Sequence, residues 1–132
     1  MTIGKIGVVG AGTMGNGIAQ AFAVAGQDVV MMDVSEAQVQ RGLATIGASL
    51  DRLIKRDRMT AAQKDAAMAR ISTATDTSAL SDSDLVIEAA TEDLALKLKI
   101  FADLDAAMKP DAILASNTSS ISITKILSLS AR

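Results

Sequence analysis

The stretch Val8-Val9-Gly10-Ala11-Gly12-Thr13-Met14-Gly15-Asn16-Gly17 decides how this chain is read, because an apolar run there breaks into four glycines within eight positions. A Gly-x-Gly-x-x-Gly string of this kind admits two physical accounts. It is either a tight turn from a strand into a helix, or a turn whose backbone N–H groups also hold a phosphate. Glycine is common enough for the spacing to arise by chance, so the flanking sequence has to separate the two.

Upstream, Lys5 to Val9 is a short apolar run that ends at Gly10. Downstream, Ile18, Phe22 and Ala25 recur at helical spacing until Gly26. The continuous apolar residues Val29-Val30-Met31-Met32 then read as a strand covered on both faces, and they stop at Asp33. Strand, helix and strand in that order predict a right-handed parallel crossover. Its helix points its N-terminus at the loop after the first strand, where the glycines lie.

Beyond Asp33 the periodicity changes. Ser35 and Gln38 make an S-x-x-Q capping box, and Val39, Leu43, Ile46, Leu50 and Leu53 step by three and four. A second box, Thr60 with Gln63, opens a helical stretch through Met68 to about Ile71, so a long helical hairpin is expected between strands two and three. A plain crossover needs less chain. The excess is equally consistent with a packing elaboration and with a place where substrate is met. Ile71 to Ala74 is read as a third strand, Asp84 to Glu88 as a fourth and Ala112 to Ala115 as a fifth. Between the last two, Thr91 can cap a helix whose apolar face is Leu94, Leu98, Ile100, Phe101 and Leu104. The alternation predicts an α/β fold: a doubly wound, Rossmann-type parallel sheet with helices on both faces, binding its ligand outside the carboxyl ends of the strands.

Composition narrows the chemistry. The 132 residues are one domain's length, and thirteen basic against fifteen acidic residues, with no long run of either sign, argue against a nucleic-acid partner. The absence of cysteine excludes disulfides, and the absence of histidine removes the commonest general base and metal ligand, so no metal site is expected. With neither Trp nor Tyr, the seven methionines are read as core packing beside Val, Ile and Leu. No export or transit signal is visible at the start, and no apolar run approaches the roughly 18 residues of a membrane helix, so a cytoplasmic location without a membrane partner is expected.

In this frame each glycine of the opening stretch has a task. Gly10 permits the tight turn, Gly12 lets the backbone approach a pyrophosphate, and Gly15 lets the helix pack closely on the strand. The field at the helix end contributes about 0.3 to 1 kcal/mol, so donated hydrogen bonds must supply much of the hold. Asp33, about 20 residues further on, stands where a carboxylate accepts bonds from the adenosine ribose hydroxyls. NAD is therefore the expected cofactor, since a 2′-phosphate there would meet a repulsion of about 4 kcal/mol per charge pair.

Taken together, Ile6-Gly7-Val8-Val9-Gly10-Ala11-Gly12-Thr13-Met14-Gly15, Asp33 and Ala115-Ser116-Asn117-Thr118-Ser119-Ser120 resemble the 3-hydroxyacyl-CoA dehydrogenases, especially the bacterial 3-hydroxybutyryl-CoA branch. The resemblance covers the whole chain and implies an NAD-binding domain over residues 1–132, whose parent enzyme interconverts a (3S)-3-hydroxyacyl-CoA and its 3-oxo form. It implies that Ala11, Thr13 and Met14 join the three glycines around the cofactor, that Glu92 and Lys97 line it on the nicotinamide side, and that Asn117 stands beside the nicotinamide. Ser119 is implied as the serine that holds the substrate's C3 oxygen, and Ser49 and Arg56 as contacts to the CoA portion, with Arg56 where lysine is more usual. The family's general-base histidine, and the helical domain that carries substrate and dimer contacts, lie outside these residues. Blander accounts stand beside these roles: a serine cap for Ser119, a favourable first-turn charge for Glu92, and a solvated cationic helix end for Arg56 with Arg52, Lys55 and Arg58. The alternative to an oxidoreductase domain is a standalone dinucleotide-binding module without catalysis. For the chain alone the expectation is NADH binding with little turnover, and an unpaired fifth strand makes self-association a further expectation, the family's enzymes being expected as homodimers.

Overall fold

The computed structural model describes residues 4–89 and 94–116. In chain order it contains β1 (Lys5–Val9), α1 (Thr13–Val24), β2 (Asp28–Met32), α2 (Glu36–Lys55), α3 (Ala61–Ala69), β3 (Ile71–Ala74), a short 3-10 helix (Thr77–Leu80), β4 (Leu85–Glu88), α4 (Leu94–Ala107) and β5 (Ile113–Ser116). The strands form one sheet in the order β3-β2-β1-β4-β5, and all four neighbouring pairs are parallel. The chain therefore winds outward from β1 through β2 to β3, then returns to the other side of β1 for β4 and β5. That reversal lies between β1 and β4, and it is where a doubly wound sheet opens a crevice.

The register makes the crevice even. Val9 pairs with Met32 on one side and Glu88 on the other, while Met32 pairs with Ala74 and Glu88 with Ser116. One row thus crosses the five carboxyl ends, and every connection leaving it starts from the same level.

Strand alternation sorts the core into two layers. Ile6, Val8, Val29 and Met31 face α1, α2 and α3, where Ala19, Ala23, Val39, Ile46 and Leu50 cover them. Val9, Val30, Met32 and Val86 face the other way, against Leu80, Leu104 and Met108. Because both faces are covered, the strands read as unbroken apolar runs. The methionine expectation holds for Met31, Met32 and Met108, which are buried, and fails for Met14, which is 58% exposed. Met14 sits in the first turn of α1, where the solvent-facing side of the helix mouth offers it no core.

Local sequence signals are met in different degrees. Thr60 and Gln63 form the complete reciprocal box at the start of α3. The expected box at α2 is half formed. Ser35 accepts from the Gln38 N–H, but the Ser35 N–H donates to Asp33 Oδ1, so Gln38 has no donor to answer there and accepts from Arg41 instead. The turn from α2 into α3 puts Asp57 at φ +56, and Arg58 and Asp57 donate back to Leu53 and Ile54, a Schellman closure with aspartate at the position that favours glycine. The 3-10 helix, which Asp76 caps through the Ser78 N–H, was not expected, being too short to leave a periodic signature.

At the opposite, amino-terminal edge of the sheet, Asp84 accepts from the Gly4 and Lys5 N–H groups at 2.8 and 3.1 Å and pairs with Lys109. One carboxylate thereby joins the start of β1, the start of β4 and the connection into β5. The Lys109 ammonium and the two backbone donors lower its pKa from 3.8 to about 2. A depressed folded-state pKa means that this contribution is present above the unfolded value and lost as pH falls through the folded one. Thermal melts followed by circular dichroism should show Asp84→Asn lowering Tm at neutral pH. The variant should also lose the part of the wild-type acid destabilisation that falls between pH 3.8 and about 2.

Candidate functional site

Above the level row, β1 runs on into Gly10, whose N–H donates to the Met32 carbonyl at 2.7 Å, keeping the chain on the sheet for one more residue. Gly10 then turns at φ +111, in a region that side-chain-bearing residues rarely adopt. Gly15, two residues into α1, has a different reason to be glycine. A Cβ there would lie 1.7 Å from the Gly10 carbonyl oxygen, so the helix could not reach this position with any side chain.

Gly12 has neither reason. It caps α1 at φ −70 and ψ −167, an extended conformation open to other residues, and a Cβ on it would meet nothing within 4 Å. Its lack of a side chain leaves the mouth of the helix open without serving the fold. The first backward bond at this end runs from the Asn16 N–H to the Gly12 carbonyl at 2.9 Å, so the amides of residues 12–15 stand at the unpaired helix end. Gly12 gives no side-chain cap and the first turn holds no acid, so nothing in the helix neutralises its positive end.

Asp33 closes the other side. Its Oδ2 accepts from the Ala11 N–H at 3.0 Å and its Oδ1 from the Ser35 N–H at 3.2 Å, so the half-buried carboxylate links the glycine turn to the start of α2. A carboxylate has about four acceptor positions, and roughly two remain for a ligand's hydroxyls. Asp33 does line the crevice. With Val9, Gly10, Met32, Val34, Thr77, Ile100 and Asp103 it bounds a cleft of about 190 Å³.

Four residues here escaped the sequence reading. Val34, Thr77 and Asp103 enter the cleft from three separate connections and elements, which no local pattern announces. The fourth is Gly42, inside α2, where a Cβ would come within 2.7 Å of the Ala11 carbonyl oxygen and 3.1 Å of Met31 Cε. Gly42 lets α2 lie directly on the glycine turn. A signal for it existed, since an isolated glycine inside a strongly periodic helix costs about 1 kcal/mol relative to alanine and asks for a packing reason.

The structure brings Gly10, Ala11, Gly12, Thr13, Met14, Gly15 and Asp33 together at one mouth. It does not bring Ser49 and Arg56 there. Both lie on α2 beyond Gly42, Ser49 half-buried and Arg56 exposed at the helix C-cap. With Arg52 they recur at three and four residues, which puts them on one flank, and the acid on another flank, Asp51, pairs with Lys64 of α3. Glu92, Asn117 and Ser119, and the side chain of Lys97, lie outside the described residues.

Comparisons with known proteins agree with this geometry. The family model described as "3-hydroxyacyl-CoA dehydrogenase, NAD binding domain" matches residues 5–132. The chain is 50% identical over 124 residues to a 3-hydroxybutyryl-CoA dehydrogenase of Bradyrhizobium diazoefficiens, covering 94% of itself and 42% of that protein. It is 40% identical to the 3-hydroxyadipyl-CoA dehydrogenase of Escherichia coli, covering 26% of that protein. Among solved structures, (S)-3-hydroxybutyryl-CoA dehydrogenase PaaH1 from Ralstonia eutropha matches with a TM-score of 0.97 and 54% identity, over 99% of this chain and 46% of that one. The chain thus spans less than half the length of these relatives.

The three glycines should separate in stability measurements. Gly15→Ala is expected to cost about 3 kcal/mol or more, because a methyl group is forced into backbone. Gly12→Ala should cost no more than about 1 kcal/mol, the loss on placing alanine at an N-cap. Urea unfolding followed by circular dichroism reads both, and equal losses would contradict the distinction.

Proposed function

Since this chain belongs to the family of 3-hydroxyacyl-CoA dehydrogenase NAD-binding domains, we propose that residues 1–132 hold NAD for the interconversion of a (3S)-3-hydroxyacyl-CoA and its 3-oxo form. The observation that carries the reading is Gly12: an open, sterically free glycine over an uncapped helix end, facing the same mouth as the Asp33 carboxylate. The family shows the cofactor to be NAD, and the residues fit it. The amides at the start of α1 suit a diphosphate, and the free acceptor positions of Asp33 suit the ribose hydroxyls.

Bound NAD supplies the hydride acceptor. The work of the chain's own residues is positional. Gly10 and Gly15 fix where α1 begins, Asp33 ties that beginning to β2 and α2, and the level carboxyl ends of β1 and β4 provide the floor on which a substrate carbon is brought to the cofactor. The acyl-CoA reading rests on Ser49, Arg52 and Arg56, whose shared flank offers a hydroxyl and guanidinium groups to phosphate. The relatives carry names of different acyl groups, hydroxybutyryl and hydroxyadipyl, which places chain-length selection outside what this domain's features support.

No histidine occurs in the 132 residues, so they contain no imidazole to move the hydroxyl proton. The chain by itself should therefore bind NADH and turn over 3-hydroxybutyryl-CoA negligibly. Titration by NADH fluorescence, free of interference from Trp or Tyr, should show NADPH binding about a hundredfold more weakly, with Asp33→Asn narrowing that gap. Equal affinity for both dinucleotides would refute the ribose role of Asp33, and brisk turnover would refute the division of labour. For the CoA flank, Arg56→Gln should weaken calorimetric binding of coenzyme A itself by about tenfold, the worth of one charge-assisted contact; an unchanged affinity removes Arg56 from that role.

A further inference from the structure

Past Asp33 the cleft continues away from the glycine turn, and its far part is built by residues that neither the fold nor the diphosphate needs. Val34 is 86% exposed, the most exposed large apolar side chain among the described residues. It follows β2 directly, while Ile100 reaches the same cleft from α4. Two aliphatic side chains contributed by separate elements make apolar walls suited to a flat ring. Asp103 lies three residues after Ile100, on the same face of α4, and Thr77 begins the 3-10 helix. Neither side chain makes a hydrogen bond or ion pair with any described residue. No Lys or Arg lines the cleft, so the Asp103 carboxylate faces it unneutralised.

Resting on the dinucleotide reading above, we propose that this end of the cleft reads the adenine base, with Asp103 accepting a hydrogen bond from the exocyclic amine. The amine is the one group on the purine edge that offers hydrogens to an acceptor with no hydrogen of its own. Thr77, whose hydroxyl both donates and accepts, serves an adjacent ring nitrogen. The ring lies between Val34 and Ile100, which explains why a valine is left uncovered at the rim. The arrangement makes the domain selective for a base as well as for an unphosphorylated ribose, and it assigns that selectivity to α4, an element outside the glycine fingerprint and its acidic partner.

The probe is the reduced nicotinamide hypoxanthine dinucleotide, in which a carbonyl oxygen replaces the amine and would face the carboxylate as acceptor against acceptor. Wild-type chain titrated with NADH and with this analogue should bind NADH about tenfold more tightly, the order of one charge-assisted hydrogen bond in a part-exposed site. Asp103→Asn, nearly isosteric and able both to donate and to accept, should reduce that preference to about twofold or less while its circular dichroism melt stays that of the wild type. A wild-type preference that is absent, or one that persists in the variant, overturns the proposal while leaving the dinucleotide reading intact. An equal gain by both ligands in the variant also overturns it, because the carboxylate would then act only as a distant charge. Failure of NADH itself to bind would overturn the dinucleotide reading and this proposal together.

Discussion

The start of α1 lies against the carbonyl of Gly10 at a distance that admits no side chain, and the nucleotide site follows from that approach. A methyl group on Gly15 would penetrate the carbonyl oxygen at 1.7 Å, so the helix is held by backbone against backbone and its position does not depend on a rotamer. Gly10 makes the approach possible by turning at φ +111 immediately after the last bond to the sheet. The unpaired amides of the helix are therefore fixed relative to β1, and a ligand that uses them finds them already oriented.

Asp33 shows how one residue can be both scaffold and binding group. Its two oxygens accept from Ala11 and from Ser35, on opposite sides of the mouth, and the same carboxylate borders the cleft. Gly42 presses α2 against the Ala11 carbonyl, so the same short turn is held by Asp33 through its N–H and by α2 through packing on its oxygen. Loss of any of these contacts would act on the binding site through the geometry of the turn as well as through direct contact, which gives the family fingerprint a mechanical sense beyond phosphate recognition.

The legibility of the elements followed the strength of their periodic signal. β1, β2 and β3 were read at or within a residue of their bounds because continuous apolar runs bordered by Gly or Asp leave little choice. The α2 box was read correctly at Ser35 and wrongly at Gln38, because the reciprocal donor belongs to a tertiary partner, Asp33, that competes for the same N–H. Met14 was assigned to packing on composition alone, yet residue type does not reveal that the first turn of α1 borders open space. Ser49 and Arg56 were named through resemblance, and the structure places them along α2, away from the mouth formed by the glycines.

What the sequence determined by itself is the set of local conformations and their order: an alternation that demands a parallel sheet, a glycine where the backbone must turn, a carboxylate at the end of the second strand. These are properties of a few consecutive residues and of their periods. Only the tertiary structure decided which residues share the cleft, because Val34, Thr77 and Asp103 come from separate parts of the chain and meet only through the level register of β1, β2 and β4 and the packing of α4 on the sheet. It also separated the three glycines by cause, since a missing Cβ means conformation at Gly10, contact at Gly15 and open approach at Gly12, and that difference exists only once the surrounding atoms are in place.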